Sequence, residues 1–189
     1  MRYPSEHNEA TRERILEAAS RLFREHGIAA VGLAKIMGDA NLTVGTFYTH
    51  FKSKEALLRE ALARTLQDRH EALVQAIRGG DLEVAVRAYL SPEHRDAPET
   101  GCPVAALTSE VGRHPRATRH TFTSHNEPTL DALAGWLSSR RGEEARRADA
   151  AALLGLLAGT LQLARATPDR TESDAILEAG VRAAIRLAS

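Results

Sequence analysis

Apolar residues recur every three or four positions along nearly the whole chain, which is the spacing that places them on one face of an α-helix. Stretches in which apolar and polar residues alternate, as they do in half-buried strands, are scarce. Glycines and prolines divide the helical pattern into about nine segments. The pattern therefore predicts an all-α protein.

Two short helices are predicted near the N-terminus, after a first helix that begins at Asn8 or Thr11 and runs to residue 26. They cover residues 33–39 and 44–50, and Thr43 is the expected N-cap of the second. A short helix, a tight turn and another short helix have the proportions of a helix-turn-helix unit. In such a unit the second helix lies in the major groove of DNA.

Beyond residue 52 the chain is predicted to be mostly helical, beginning with a long fourth helix capped by Ser53. Five further segments are predicted to be helical, at 82–90, 104–113, 116–140, 143–166 and 173–187. The stretch SPEHRDAPETGCP, residues 91–103, is expected to be a loop. Pro128 should kink or break the helix that contains it.

The segment 143–166 is apolar on most sides of its middle, so it must be covered on more than one face. A second copy of the chain is the simplest cover, with the last two helices of each copy forming a four-helix interface. Gly155, Gly159 and Gly180 would allow the close approach of these helices. A central core helix within a monomer is the alternative, and the sequence leaves it open.

Composition excludes several classes of protein. The 25 basic residues balance the 25 acidic ones, so the chain is neither a strongly basic nucleic-acid scavenger nor an acidic tail. A single cysteine permits no intrachain disulfide and fits a reducing cytoplasm. We expect no signal peptide at the polar N-terminus and no membrane span, because no apolar run approaches the required length.

Local charge differs from this neutral total. Residues 40–54 contain no acid, and Lys52 and Lys54 are two of the only three lysines in the sequence. Hydroxyl, phenol and imidazole groups precede them, and all are able to contact DNA phosphates: Thr43, Thr46, Tyr48, Thr49 and His50. The sequence therefore predicts DNA binding by this stretch.

The run TRERILEAASRLFREHGIAAVGLAKIMGDANLTVGTFYTHFKSKEALLREAL resembles the DNA-binding domain of the TetR family of transcriptional repressors. The resemblance covers about residues 10–62. It implies an all-α homodimer with a helix-turn-helix DNA-binding domain at residues 1–54 and a helical ligand-sensing and dimerisation domain at 55–189. A bacterial, cytoplasmic repressor would bind a palindromic operator and be released by a small-molecule inducer, although activation stays open.

The resemblance also assigns roles within the predicted reading helix. Thr43 would cap that helix and touch phosphate, and phosphates would also be bound by Tyr48, His50 and Lys54. The bases would be approached by Val44, Gly45 and Thr46. Phe47 and Phe51 alternate with these positions and are expected in the core. Because valine and glycine carry no polar side-chain group, specificity should depend on Thr46, on thymine methyl contacts, on arginine or lysine near the N-terminus and on DNA shape.

A departure from the commoner family pattern precedes this helix. Gly32 stands where many members have a hydroxyl-bearing cap, so the second helix lacks that support.

The inducer is expected in an apolar cavity among the fourth to eighth helices, and should itself be largely apolar. Seven residues mark that region, either as lining or as plain core: Leu66, Leu73, Tyr89, Leu107, Phe122, Trp136 and Leu161. Cys102 precedes a helix, where a thiolate is favoured, so it is either a redox sensor or a small residue at a tight helix start.

No enzyme, cofactor or metal site is predicted. The sequence lacks a phosphate-binding glycine loop, a nucleophile elbow and an HExxH motif, so no catalytic residue is assigned. Glu110 and His114 are four residues apart, and His120 and His125 follow, but without a recognised ligand spacing we interpret these histidines as solvated or as supporting side chains and not as metal ligands. A helical interaction module that does not bind DNA is the rival hypothesis.

Overall fold

A computed structural model describes residues 3–78, 82–137 and 143–188, and the regular structure of these residues is entirely α-helical, which confirms the predicted fold class. The helices are α1 (Tyr3–His26), α2 (Leu33–Asp39), α3 (Val44–His50), α4 (Lys54–Arg78), α5 (Leu82–Tyr89), α6 (Pro92–Asp96), α7 (Pro103–Val111), α8 (Arg116–Trp136), α9 (Glu143–Ala166) and α10 (Arg170–Ala188). Within the described ranges no helix is both long and apolar enough to cross a bilayer.

The first core lies under α1, α2, α3 and the first turns of α4, a unit that we call the head. Its fully buried side chains include Phe23, Ile36 and Phe47. Leu57 and Leu62 of α4 are part of the same core, so the head extends past residue 54 along α4. Leu107 and Val111 of α7 also pack into it. The head is therefore joined to the rest of the chain by shared apolar packing.

The second core lies among α4, α5 and α7–α10, which we call the sensor bundle. α9 packs along both α8 and α10, and α8 packs along α4. Leu153 and Leu161 of α9 are fully buried there, and Leu177 and Val181 of α10 pack beside them. α4 passes from the head core into the sensor core, where Leu66 is buried, so one continuous helix belongs to both.

Two predicted boundaries near the N-terminus and in the expected loop are wrong. α1 begins at Tyr3, and the Thr11 hydroxyl donates to the carbonyl of His7 within the helix (2.9 Å) instead of capping it. Residues 92–96 form α6, because Ser91 is an N-cap whose hydroxyl accepts from the His94 N–H (3.2 Å) and a proline follows at the first helical position.

α6 is fastened to α10 by a buried arginine. The Arg95 guanidinium donates to the Ser173 hydroxyl (2.8 Å) and pairs with the carboxylates of Asp96 (2.8 Å) and Asp174 (2.5 Å). A buried guanidinium needs such partners to offset its lost hydration. The segment expected to be a loop is therefore a fixed part of the sensor bundle.

Pro128 lies inside α8, which continues past it to Trp136, so it does not end the helix. The predicted end of that segment at residue 140 lies outside the described residues. Ser53 does cap α4, since its hydroxyl accepts from the N–H of Ala56 (3.1 Å).

Gly180 is required where α10 crosses α9. A Cβ at this position would lie 2.4 Å from Thr160 Cγ2 and 3.0 Å from Leu90 Cδ1. Gly180 was predicted to allow close helix approach between two copies, but it allows the close approach of α9 and α10 within one chain. The ideal Cβ positions of Gly155 and Gly159 on α9, by contrast, have no atom within 4 Å in this chain.

We expect Gly180→Ala to lower the free energy of unfolding by about 1–3 kcal/mol, because the added methyl overpacks the α9–α10 contact. Gly38→Ala is the control, since a Cβ there meets no atom within 4 Å. It should raise the free energy by up to about 1 kcal/mol through helix propensity. Urea titration measures both, and a Gly180→Ala protein as stable as wild type would contradict the close contact.

Candidate DNA interface and ligand cavity

α3 has one buried face and one exposed face. Phe47 is fully buried and its ring stacks on that of Phe51 with centroids 5.8 Å apart, which confirms both residues as core. Val44 is 42% exposed and Tyr48 is 65% exposed, values unusual for large apolar or aromatic side chains. The helix is therefore anchored in the core by the two phenylalanines, while its other face is exposed to solvent.

The exposed face of α3 carries hydroxyl groups at a helical spacing. The hydroxyls of Thr43 and Thr46 lie 3.1 Å apart, and the Thr49 hydroxyl donates to the carbonyl of Thr46 (2.7 Å). Thr43 occupies the N-cap position, but its hydroxyl bonds to that of Thr46 and not to a backbone N–H, so the predicted side-chain cap is not formed. Its hydroxyl hydrogen-bonds at the surface instead.

The turn before α3 is fixed by backbone bonds and by an arginine from α1. Asn41 adopts the left-handed conformation (φ 53°), and the N–H of Leu42 donates to the carbonyl of Met37 (2.8 Å). Arg14 donates to the carbonyl of Ala40 in the same turn. Gly32 is the N-cap of α2 and supplies no side-chain bond, as its identity requires. The turn between α2 and α3 is thus fixed by a backbone bond to α2 and by a side chain of α1.

The two lysines predicted to bind phosphate have different surroundings. Lys52 is exposed. Lys54 is half-buried, and its ammonium donates to the carbonyl of Ile28 (2.7 Å) and lies 5.8 Å from the centroid of the Phe23 ring. One of its three donors is therefore used within the head. His50 is half-buried at the end of α3, while Gly45 is exposed at its start.

A carboxylate of the sensor bundle clasps the corner between α1 and α2. Glu110 Oε1 accepts from the N–H of Ile28 (3.1 Å) and Oε2 accepts from the N–H of Ala29 (2.8 Å). Gly27 has φ +83°, and a Cβ there would lie 2.4 Å from Glu110 Oε1. Sequence reasoning missed this clasp, because its partners are some 80 positions apart and no local pattern links them.

His114 contacts the carboxylate of Glu55, and not that of Glu110 four residues before it. Its Nδ1 lies 3.2 Å from both carboxylate oxygens of Glu55, which also accepts from the Thr118 hydroxyl. Glu110 and His114 therefore serve two separate contacts between the head and the sensor bundle. Across the described ranges, no group of three or more histidine, cysteine or acidic residues is placed to hold a metal ion.

A cavity of about 240 Å³ opens among α4, α5, α8 and α9. Leu73, Tyr89 and Trp136, all marked by the sequence, line it, and Leu66 lines a smaller adjoining space of about 30 Å³. The remaining markers lie elsewhere: Leu107 in the head core, Leu161 in the sensor core, and Phe122 packed against both. Both spaces are bounded mainly by apolar side chains.

Cys102 is buried at the N-cap of α7 and borders the smaller space. Its backbone N–H donates to His94 Nε2 (3.0 Å), and His94 Nδ1 lies 2.6 Å from the carbonyl of Tyr89. The accepting Nε2 places the ring proton on Nδ1, so the imidazole is neutral. Burial lowers the pKa of His94 to about 4, in agreement with that assignment. The structure thus gives Cys102 a buried place at a tight helix start.

Comparison with known proteins identifies the N-terminal part of the chain. The family of bacterial regulatory proteins named tetR matches residues 15–61. The HTH-type transcriptional regulator TtgR of Pseudomonas putida is 37% identical over 81 residues, which are 43% of this chain and 38% of TtgR. The repressor NemR of Escherichia coli is 31% identical over 107 residues, 53% of this chain and 54% of NemR. The chain thus aligns with about half, or less, of these curated relatives.

Solved structures extend the likeness to the whole fold. The reduced form of Escherichia coli NemR superposes with a TM-score of 0.74 at 22% identity, covering 95% of this chain and 97% of NemR. The regulator FadR of Bacillus subtilis, solved with stearoyl-CoA, superposes with a TM-score of 0.69 at 16% identity, covering 94% and 97%. At these identities the likeness shows a common arrangement of helices.

The two faces of α3 should respond differently to truncation. Phe47→Ala is expected to lower the free energy of unfolding by about 3–5 kcal/mol, because it empties a fully buried site. Tyr48→Ala should cost no more than about 1 kcal/mol, the worth of its edge contact with the Phe47 ring. Denaturant unfolding monitored by circular dichroism measures both. Equal losses would show that Tyr48 has a structural role and is not a free surface group.

Proposed function

Because the chain belongs to the TetR family of bacterial regulatory proteins, we propose that it is a ligand-responsive repressor that binds a palindromic operator as a homodimer. Its relatives are named transcriptional regulators, not enzymes. The observation that carries the proposal is the exposed, acid-free face of α3 above its buried phenylalanines. The protein would act in the bacterial cytoplasm, where the operator is.

The DNA contacts proposed for this face divide into two kinds. The hydroxyls of Thr43, Tyr48 and Thr49 and the exposed Lys52 would hold phosphates, which fixes the position of α3 without reading sequence. Val44, Gly45 and Thr46 would meet base edges, and His50 and Lys54 would complete the phosphate contacts. Exposed Val44 suits a thymine methyl, so the operator should be read by apolar contact and DNA shape as well as by Thr46.

The homodimer is proposed to form through α9 and α10. Leu163 on α9 is 63% exposed, and the ideal Cβ positions of Gly155 and Gly159 on the same helix have no neighbouring atom within this chain. An exposed leucine beside small residues is what a partner helix would cover at close range. Such a pairing would set the distance between two heads, and with it the spacing of operator half-sites.

Release by a ligand would use the two helices that connect the cavity with the head. α4 carries the cavity residue Leu73 and begins at Lys54 in the head, while α7 begins beside the smaller space and ends at the clasp of Glu110. A ligand that binds one head position better than the other lowers DNA affinity by that difference. The inducer site of this proposal is the apolar cavity.

Selection of bound fragments from random-sequence DNA tests the proposal. A repressor of this kind should enrich a palindrome whose half-sites are one helical turn, or a multiple of it, apart. Enrichment of no site above background would overturn the function and leave the helical interaction module as the better account.

Lys52→Gln should weaken binding to operator and to unrelated DNA by the same factor. The slope of log affinity against log salt should fall in magnitude by about 1, because one phosphate contact is lost. Arg87→Gln is the matched control, since it removes one exposed positive charge from α5 of the sensor bundle. Fluorescence anisotropy at several salt concentrations gives both slopes. The phosphate contact would be refuted by an unchanged slope for Lys52→Gln, or by an equal change for Arg87→Gln.

The proposed interface can be tested with two equally exposed residues. Leu163→Glu places a charge on the face of α9 and should convert the dimer to monomer. Val84→Glu changes a residue of α5 that is 65% exposed and should leave the dimer intact. Sedimentation velocity distinguishes the two states. A Leu163→Glu protein that sediments as wild type does would exclude α9 from the interface.

A further inference from the structure

Arg69 of α4 is the one charged residue in the lining of both the larger cavity and the adjoining smaller space. Tyr89, Leu133 and Leu157 are among the walls that the two spaces share. The other lining residues among the described part of the chain are uncharged. A fixed positive charge in apolar surroundings selects the charge of what can bind there.

The guanidinium of Arg69 has no carboxylate partner within the described ranges, unlike the partly exposed Arg12, Arg64 and Arg87. It lies 4.9 Å from the centroid of the Tyr89 ring, a cation–π contact that holds it over the ring. Within the described ranges this guanidinium makes no hydrogen bond or ion pair, so its N–H groups are available to an acceptor. An anion would offset the loss of hydration that this half-buried cation suffers.

Two further polar groups border the smaller space. Asn126 Oδ1 is buried without a hydrogen-bond partner, and the buried Tyr89 hydroxyl has the Cys102 thiol, a weak hydrogen-bonding group, as its neighbour. Burial raises the pKa of Tyr89 well above its usual value, so the hydroxyl keeps its proton as a donor. The Tyr89 hydroxyl can donate to a carboxylate, whereas Asn126 Oδ1 is an acceptor and needs a donor elsewhere on a ligand.

We propose that the cavity takes an apolar organic acid, whose carboxylate pairs with Arg69 and whose apolar body lies against Leu73, Leu133 and Trp136. This rests on the proposed function only in that such an acid would be the inducer. The charge sets the order of affinity among ligands of one shape: anion first, neutral molecule second, cation last. A purely apolar inducer, as the hydrophobic pattern alone suggests, would show no such order.

Trp136 provides the readout, because it is the only tryptophan in the sequence and it lines the cavity. The full-length protein, without DNA, is titrated with octanoate, octanol and octylammonium while tryptophan fluorescence is recorded. Octanoate should bind about ten- to a hundredfold more tightly than octanol, the worth of a charge-assisted hydrogen bond. Octylammonium should bind more weakly than octanol. Equal affinities, a preference for the cation, or no response to any of the three would overturn the proposal.

Variants assign the preference to its residue. Arg69→Met keeps an unbranched side chain, removes the charge, and should bring octanoate and octanol to within about twofold of each other. Arg69→Lys should retain part of the preference. Arg59→Met removes another arginine of α4, outside the cavity lining, and should preserve the wild-type ratio. An undiminished ratio in a folded Arg69→Met protein, or an equal loss in Arg59→Met, would refute the pairing.

The two proposals fail separately in this design. Ligand titration without DNA reports only on the cavity, whereas operator binding by the ligand-free protein reports only on the reading helix. Operator binding without the octanoate preference overturns the organic acid and leaves the regulator standing. The converse result removes the repressor function and supports a binding site for the acid.

Discussion

The position of the head depends on the carboxylate of Glu110. Its two oxygens accept from the backbone N–H groups of Ile28 and Ala29, while Lys54 donates to the carbonyl of Ile28 from the other side. The corner between α1 and α2 is thereby bonded to the end of α7 and to the start of α4. These are helices that reach the cavity region, so this corner joins the head to the sensor bundle, beside the separate contact of His114 with Glu55.

The free energies of these hydrogen bonds limit how the head can move. Hydrogen bonds that involve a charged group each contribute about 1.5–3 kcal/mol, and Glu110 and Lys54 make three of them at this corner. The coupling between two ligand sites is ordinarily about 1–3 kcal/mol. Breaking all three bonds would therefore cost more than a ligand supplies. The head should turn together with the ends of α4 and α7, and not detach from them.

The local sequence pattern predicted the helices and helix faces that local interactions determine. The helical period found α2, α3 and the long α4, and the alternation of Phe47 and Phe51 with polar neighbours found the two faces of the reading helix. Leu107 shows a limit of prediction from periodicity. An apolar face of α7 has the same sequence pattern whether it packs on the head or lines a cavity. Charged partners far apart along the chain were equally hidden: Glu110 with Ile28, and Arg95 with Asp174.

The same distinction explains why the sequence pattern predicts a more apolar cavity than the structure contains. Arg69 lies on a helix whose exposed positions carry many charges, so the sequence gives no reason to single it out. Only packing shows that its guanidinium lies over the Tyr89 ring, at the edge of a space otherwise lined by Trp136 and by leucine, valine and alanine side chains. Because α4 begins at the clasped corner and carries this cation to the cavity, an anion bound there, as we propose, would act on the helix that positions the head. Ligand charge, and not apolar volume alone, would then be the quantity that the protein senses.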